Sequence, residues 1–455
     1  MTSWWAGIVE ASGLTGRVMP LPGERCRGAV PADAVPADAV PAGAVPDRFV
    51  GEVAPRLQSL PVRTIHHDAG DGNVLVEPGP AGEGGVLGLT DVGDLCRAPR
   101  VCGLAVACSY AMFDQPDPVG AVLPLVAGYH EVAPLTPAEL DLLLDLVRTR
   151  LALGMVKAGR QHARDPGNGC HPAGQGQVRR LLQRLEGTDL DLARFRFRDA
   201  CGYEADPRAR AVRRFLARTP SRPILGDRPL VDVPRLTFDW STGSGAASWT
   251  SRRLFEHLAG AGAEVGIGRF LEDRDVYATD AYAAADGSGQ RRTVHLGVDL
   301  FVPAGSPVSA PLDGVVHLLH DNAAPQDYGP VVILAHRTDT GEGFFTLYGH
   351  LARTTLSELT VGQKVTAGER FATVGTQDEN GGWAPHVHLQ VLTSLLGMGV
   401  DVPGVGAPAD LGLWRSVCPD PNLLLGLPEG TRADPGRWTA QAARDQAAQP
   451  SARRA

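Results

Sequence analysis

From about Gly268 to Leu425 short apolar runs alternate with Gly, Pro and Asp turns, and the hydrophobic period is two. The runs Gly314-Val-Val-His-Leu-Leu, Val331-Val-Ile-Leu-Ala, Phe344-Phe-Thr-Leu-Tyr, Arg370-Phe-Ala-Thr-Val and Val387-His-Leu-Gln-Val predict strands of an all-β unit. Upstream the period changes. Leu140 to Arg148 and Val178 to Leu185 carry leucines at helix-face spacing, and Pro137 suits a helix N-terminus, so the stretch to about Ala217 reads as mainly α. Before it, RTIHHDAGDGNVLVEP and GGVLGLTDVGDL predict two short strands, each followed by an acidic turn.

Between and beyond these blocks the pattern fades. Residues 29–47 form a pentad repeat, AVPAD AVPAD AVPAG AVPD, whose prolines exclude a helix and whose apolar surface is too small for a core. Residues 219–250 are rich in Pro, Gly and Ser, and the Ala-rich polar tail after Glu429 has nothing to pack against. The expected division is a disordered low-complexity segment at 1–60, a mainly α unit at 61–217, a linker at 218–267, an all-β unit at 268–428 and a disordered tail at 429–455. The fold class is multidomain α+β.

Composition adds bounds. Gly 55 and Pro 36 of 455 residues are about a fifth of the chain against a usual ~12%, which favours turns and short strands over long helical bundles. With 43 basic and 51 acidic residues the net charge is -8, so neither nucleic acid nor an anionic membrane is an expected partner. The longest uncharged apolar stretch, Val101 to Phe113, is too short to span a bilayer. Seven scattered cysteines without a C-x-x-C pair, and an N-terminus without a signal-peptide pattern, give a cytoplasmic expectation.

Three motifs in the β unit carry chemistry. In His295-Leu-Gly-Val-Asp299 an extended backbone turns both side chains the same way, so the pair can bind one metal ion. His386-Val-His388 puts two imidazoles on one side of a strand by the same parity, and Tyr348-Gly-His350-Leu closes the strand that begins at Phe344. Imidazole and carboxylate groups suit Zn²⁺, with three protein ligands leaving a fourth position open.

In this order HxxxD, Tyr-x-His-Leu and HxH resemble the signatures of the lysostaphin-type peptidoglycan metalloendopeptidases, and HLGVDLFVPAGSPVSAPLDGVV, LTVGQKVTAGERFATVG and WAPHVHLQV extend the likeness over about 150 residues. The resemblance implies a two-sheet β fold and one Zn²⁺ per chain, held by His295, Asp299 and His388, with His350 and His386 as the catalytic pair. It also implies a peptide or peptidoglycan-like amide substrate. Gln390 stands where the family often has Glu, and His317, His320 and His336 are assigned to surface or packing.

In the α unit, His66-His67-Asp68 with Asn73, then Asp91-Val-Gly, has the form HxDxxxxN and DxG and resembles the aminoglycoside phosphotransferase (kinase-like) C-lobe. That resemblance implies that Asp68 accepts a hydroxyl proton while Asn73 and Asp91 hold Mg²⁺ against ATP. Residues 1–60 contain no lysine and no glycine-rich cover, so the segment is expected to be inactive and to need neither Mg²⁺ nor ATP. The order of the two units, and CPDPNLLLGLPEG from Cys418, resemble part of larger bacterial fusions that continue into a class III aminotransferase, so the chain is expected to be an internal fragment. The leading expectation is a zinc-dependent amide hydrolase; its rivals are a non-catalytic binding module of the same fold and a residual small-molecule phosphotransferase.

Overall fold

A computed structural model describes residues 44–77, 85–164, 172–241, 250–277, 279–283 and 291–428. The chain divides into two compact units, Met1–Tyr203 and Glu204–Ala455. Among the described residues no helix is long and apolar enough to cross a membrane.

The first unit is mainly helical. Strands β1 (Val62–His66) and β4 (Leu95–Pro99) pair antiparallel, and so do β2 (Val74–Val76) and β3 (Val86–Leu89). The helices Arg100–Ala111, Leu143–Arg164 and Pro172–Glu186 bury their leucine faces in one core, as the helix-period pattern predicts. A capping box between Thr136 and Glu139 starts the short helix Pro137–Leu140, and the Glu139 carboxylate also bonds Arg100 at 2.7 Å. Residues 1–43 of the expected disordered segment lie outside the described residues. Residues 44–60 do not fit that expectation: they fold as short helical turns, because Phe49, Val53, Leu57 and Leu60 supply an apolar face that the core takes up.

In the second unit, β5 (Arg235–Thr237), β6 (Val265–Gly268), β8 (Val298–Phe301), β10 (Gly314–Asn322), β11 (Gly329–Arg337), β12 (Gly343–Gly349), β13 (Lys364–Val365) and β15 (His386–Leu392) form an eight-stranded sheet. The sheet order is β13-β10-β11-β12-β15-β8-β6-β5. Short ladders join β7 (Val294–His295) to β16 (Val405–Gly406), and β9 (Pro307–Ser309) to β14 (Arg370–Thr373). The runs read as strands in the sequence are all strands here. β15 lies between β12 and β8 and is buried throughout. Its period of two sorts it: Val391 packs with Phe344, Val212, Leu216 and Leu424, while the even-numbered His386, His388 and Gln390 point the other way.

Two boundaries shift. The stretch 218–267, expected as a linker, supplies β5, β6 and the helix Ser251–Gly260 to this unit. β6 pairs with β8, and Leu254 and Leu258 pack on Phe301 and Phe238. The helix Ala209–Arg218, expected at the end of the α unit, falls in the second unit, where its Val212 and Leu216 cover the apolar face of β12 and β15. The tail from residue 429 lies outside the described residues.

Candidate functional site

Two strand pairings assemble the centre. β15 lies against β8 with His388 opposite Asp299, so residues 89 positions apart in sequence become cross-strand neighbours. His295 ends β7, and the turn through Leu296 and Gly297 returns the chain to β8. A Cβ on Gly297 would lie 2.6 Å from the His388 ring, so this position of the HLGVD motif is restricted to glycine by close approach.

His295 Nε2, Asp299 Oδ1 and His388 Nδ1 then converge: the two nitrogens are 3.0 Å apart, and each is 3.1 Å from the carboxylate oxygen. All three residues are buried. Their outer hydrogen bonds fix what these atoms can do. His295 Nδ1–H donates to the Arg269 carbonyl at 2.9 Å, which leaves Nε2 as a lone-pair acceptor. Gln390 donates its amide to the Pro403 carbonyl and to Cys418 Sγ, so its Oε1 is the end that receives His388 Nε2–H at 3.1 Å. His388 Nδ1 is therefore an acceptor too.

Three acceptor atoms facing one another in a buried space need a cation between them. Tetrahedral ligands about 2.0–2.1 Å from one zinc ion stand about 3.3 Å apart, close to the separations here. The donor set fits zinc, and both histidines have the carbonyl-type outer partners usual for metal-bound imidazole. Burial, reinforced by the Arg274 charge, pushes His295 down to about 4, so it stays neutral. Asp299 pays a burial penalty for its charge, yet the groups around it, with the permanent charge of Arg274 bonded to Oδ2, hold its carboxyl well below the usual carboxylate range.

The other two imidazoles lie beside this triangle. His386 Nδ1–H donates to the Ala384 carbonyl at 2.6 Å, and its Nε2 lies 3.6 Å from Asp299 Oδ1. His350 Nδ1–H donates to the Asn380 carbonyl at 2.9 Å. Each ring thus presents an unprotonated Nε2, and the ring centres are 4.2 Å apart. Burial and the facing rings lower His350 well below the ordinary imidazole value. Its backbone has φ of 62°, a left-handed conformation that costs a non-glycine residue energy. Bonds from its N–H to Tyr328 O and from Gly375 N–H to its carbonyl hold it there. A cavity of about 560 Å³ reaches all five residues and is walled by Trp240, Tyr277, Tyr282, Tyr328 and Trp383.

Sequence reasoning missed the supporting groups: the Arg269 and Asn380 carbonyls, and Arg274, which bonds Asp299 Oδ2 at 2.7 Å. Carbonyls carry no residue signature, and Arg274 beside Glu272 reads as a solvated charge pair. The extra histidines serve packing or surface: His336 stacks on Phe344 inside the sheet, His317 rests on Phe345 and His320 is exposed.

In the first unit the strand pairings bring the other motif to one end of the small sheets. Asn73 Nδ2 donates to the Asp68 carbonyl at 2.8 Å, whereas Asp68 Oδ1 accepts from both Tyr110 OH, at 2.9 Å, and Arg150, at 2.8 Å. Asp91 is exposed and adopts a left-handed φ of 56°. Among the described residues, Asp68 and Asp91 belong to no cluster of three His, Cys, Asp or Glu side chains like that of His295, Asp299 and His388.

Comparison with known proteins finds a peptidase-type domain and a phosphotransferase-type domain in the chain. Residues 293–400 match the model of Peptidase family M23, and residues 24–143 match that of the Phosphotransferase enzyme family. Hydroxylysine kinase of Danio rerio is 30% identical over 122 residues, covering 27% of this chain and 34% of that protein. An uncharacterized metalloprotease of Haemophilus influenzae is 38% identical over 96 residues, 21% of this chain and 18% of that one. A solved zinc containing peptidase from Vibrio cholerae is 27% identical, covers 23% of this chain and 28% of its own, and has a TM-score of 0.18. The chain spans about a third of the length of the hydroxylysine kinases it matches.

Proposed function

We propose that the second unit is a zinc-dependent metalloendopeptidase that hydrolyses an amide bond in a peptide or a peptidoglycan-like cross-bridge. The observation that carries this reading is the triangle of buried acceptors formed by His295 Nε2, Asp299 Oδ1 and His388 Nδ1, whose outer bonds leave no proton between them. These residues would hold the ion, which when bound supplies Lewis-acid polarisation to an amide carbonyl and acidifies water. His386 and His350 move the protons. Their Nδ1–H groups are tied to carbonyls, so each ring takes a proton at Nε2 and returns it to the leaving amine. The aromatic walls Trp240, Tyr277, Tyr282, Tyr328 and Trp383 offer faces on which the flat peptide groups of a substrate can stack. The described cysteines, Cys96, Cys102, Cys108, Cys201 and Cys418, are all free thiols, which supports a reducing, cytoplasmic setting.

The test is hydrolysis by the full chain, purified with zinc, of cross-bridge peptides, oligoglycine and D-Ala-containing peptides. Turnover that a chelator abolishes and added zinc restores is the expected result. No turnover on any of them, with zinc bound, would make the unit a binding module instead.

A second reading concerns the first unit, where the family match and the hydroxylysine kinases favour phosphoryl transfer to a small hydroxyl compound. We infer that this unit does not carry it out. Asp68 Oδ1, one of the two oxygens that could accept a hydroxyl proton, is held by Tyr110 and Arg150, and residues 1–60 contain no lysine to pair with the phosphates. Calorimetry of the full chain should detect no saturable Mg·ATP binding at micromolar concentrations, and such binding would favour the kinase reading.

A further inference from the structure

The metal-facing carboxylate has a support that lies outside the matched peptidase segment. Directly after β6 the chain runs Arg269-Phe-Leu-Glu272-Asp-Arg274, turning through Leu271 at a left-handed φ of 55°. Arg274 is 2% exposed and Glu272 is fully buried. Arg274 bonds Asp299 Oδ2 at 2.7 Å through one nitrogen and Glu272 Oε2 at 2.9 Å through another. Glu272 Oε1 in turn receives Arg269 at 2.8 Å, and Arg269 reaches Asp239. The charges alternate along the series Asp299, Arg274, Glu272, Arg269, Asp239. The same segment holds His295: the Arg269 carbonyl takes its Nδ1–H, and its backbone N–H donates to the Glu272 carbonyl at 2.8 Å.

We infer that Arg274 is a positioning residue of the metal centre: by occupying Asp299 Oδ2 it leaves Oδ1 alone to face the ring nitrogens of His295 and His388. The inference rests on the proposed metal-binding reading. Two features separate this from an ordinary buried ion pair. A lone guanidinium beside a cation site would repel the cation, and Glu272 reduces that repulsion, so Arg274 can orient Asp299 as well as keep it ionised. The fork is also needed as such. Arg274 spans two carboxylates at once, which a lysine ammonium on a flexible stem cannot do in the same geometry. Gly268 makes room for it, since a Cβ there would sit 2.8 Å from the guanidinium and 2.9 Å from Asp299 Oδ2.

The test measures metal, not turnover. Zinc affinity of the full chain is read by competition with a chromophoric chelator, and the visible spectrum of the cobalt-loaded protein reports the ligand field. Wild type that takes up no zinc overturns the metal-centre reading itself. With wild type loaded, Arg274→Met is expected to bind zinc about 10- to 100-fold more weakly, the usual cost of losing an outer partner, and to show a changed cobalt spectrum as Oδ2 is freed. Arg274→Lys is expected to fall between the two. If Arg274→Met keeps wild-type affinity and spectrum, the inference fails. If that variant does not fold, Arg274→Lys decides: wild-type affinity and spectrum in the lysine variant overturn the role of the fork, and weakened binding with native circular dichroism supports it.

Discussion

The two units treat their acidic and imidazole groups in opposite ways. In the second unit His295, Asp299 and His388 bring three acceptors within 3.1 Å of one another in a buried space, with every outer donor already committed. In the first, Asp68 is partly exposed, paired with Arg150 and hydrogen-bonded by Tyr110, the Asn73 side-chain amide donates to the Asp68 carbonyl, and Asp91 faces solvent. A motif of the right residue types is thus not yet a site. What marks the second unit's centre is that the surrounding bonds leave three acceptors facing one another with no proton between them.

The sharpest way to break this comparison is to remove a ligand. His388→Ala and Asp299→Ala should each abolish zinc uptake and hydrolysis, while the wild type holds one zinc per chain by elemental analysis. Full occupancy in either variant would show that the triangle is not the metal site. Next in size is the loss of a proton-handling ring. His386→Ala and His350→Ala should keep zinc yet lose about 10² to 10⁴ in rate, the usual worth of a general acid or base. If His386→Ala lost zinc as fully as His388→Ala, His386 would belong to the metal-holding set and not to the proton-handling pair.

Part of the triangle was legible because strands have a period of two, which puts His386 and His388 on one side of β15. The choice of His295, Asp299 and His388 as the ligands came from the likeness to the lysostaphin-type peptidases, and His295 meets Asp299 across the turn between β7 and β8 rather than along one strand. What parity could not give was which strand lies against which. The pairing of His388 with Asp299 is a long-range register, set by β8 and β15 meeting in the sheet. The support was illegible for a different reason. Arg269 and Asn380 act through carbonyls, and Arg274 reaches Asp299 from a loop whose turn at Leu271 has no glycine to announce it. The stretch 218–267 looked like a linker because its strands are only three and four residues long amid Pro and Gly. They become strands because β8 offers an edge, which is tertiary information.

A smaller effect tests burial without metal. His336 Nδ1–H donates to the Asp313 carbonyl at 2.8 Å inside the sheet, and burial pushes the ring down to about 4. The unfolded chain, with an ordinary value of 6.5, binds this proton first as the pH falls. Stability from this residue is therefore full above about pH 6.5, declines between 6.5 and 4, and changes no further below. The shift corresponds to about 3 kcal/mol. Denaturant unfolding of the second unit's transition should show that loss added to the losses from the buried His295 and His350, and His336→Gln should make the total fall smaller by about 3 kcal/mol. An unchanged pH profile in the variant would mean that His336 is not the group being titrated.

The smallest effect lies in the first unit and probes the other side of the comparison. Asp68 and Arg150 are 31% and 16% exposed, so water screens the pair and competes for both partners. A double-mutant cycle with Asp68→Asn and Arg150→Gln should give a coupling of about 0.2–1 kcal/mol, the range of pairs near the surface. Breaking a fully buried pair such as Arg274 with Asp299 costs about 3–5 kcal/mol, because the abandoned charge cannot return to water. That contrast sets the threshold. A coupling above about 2 kcal/mol at Asp68 would mean that this pair behaves as a buried one, like Arg274 with Asp299, and the contrast drawn between the two units would fail.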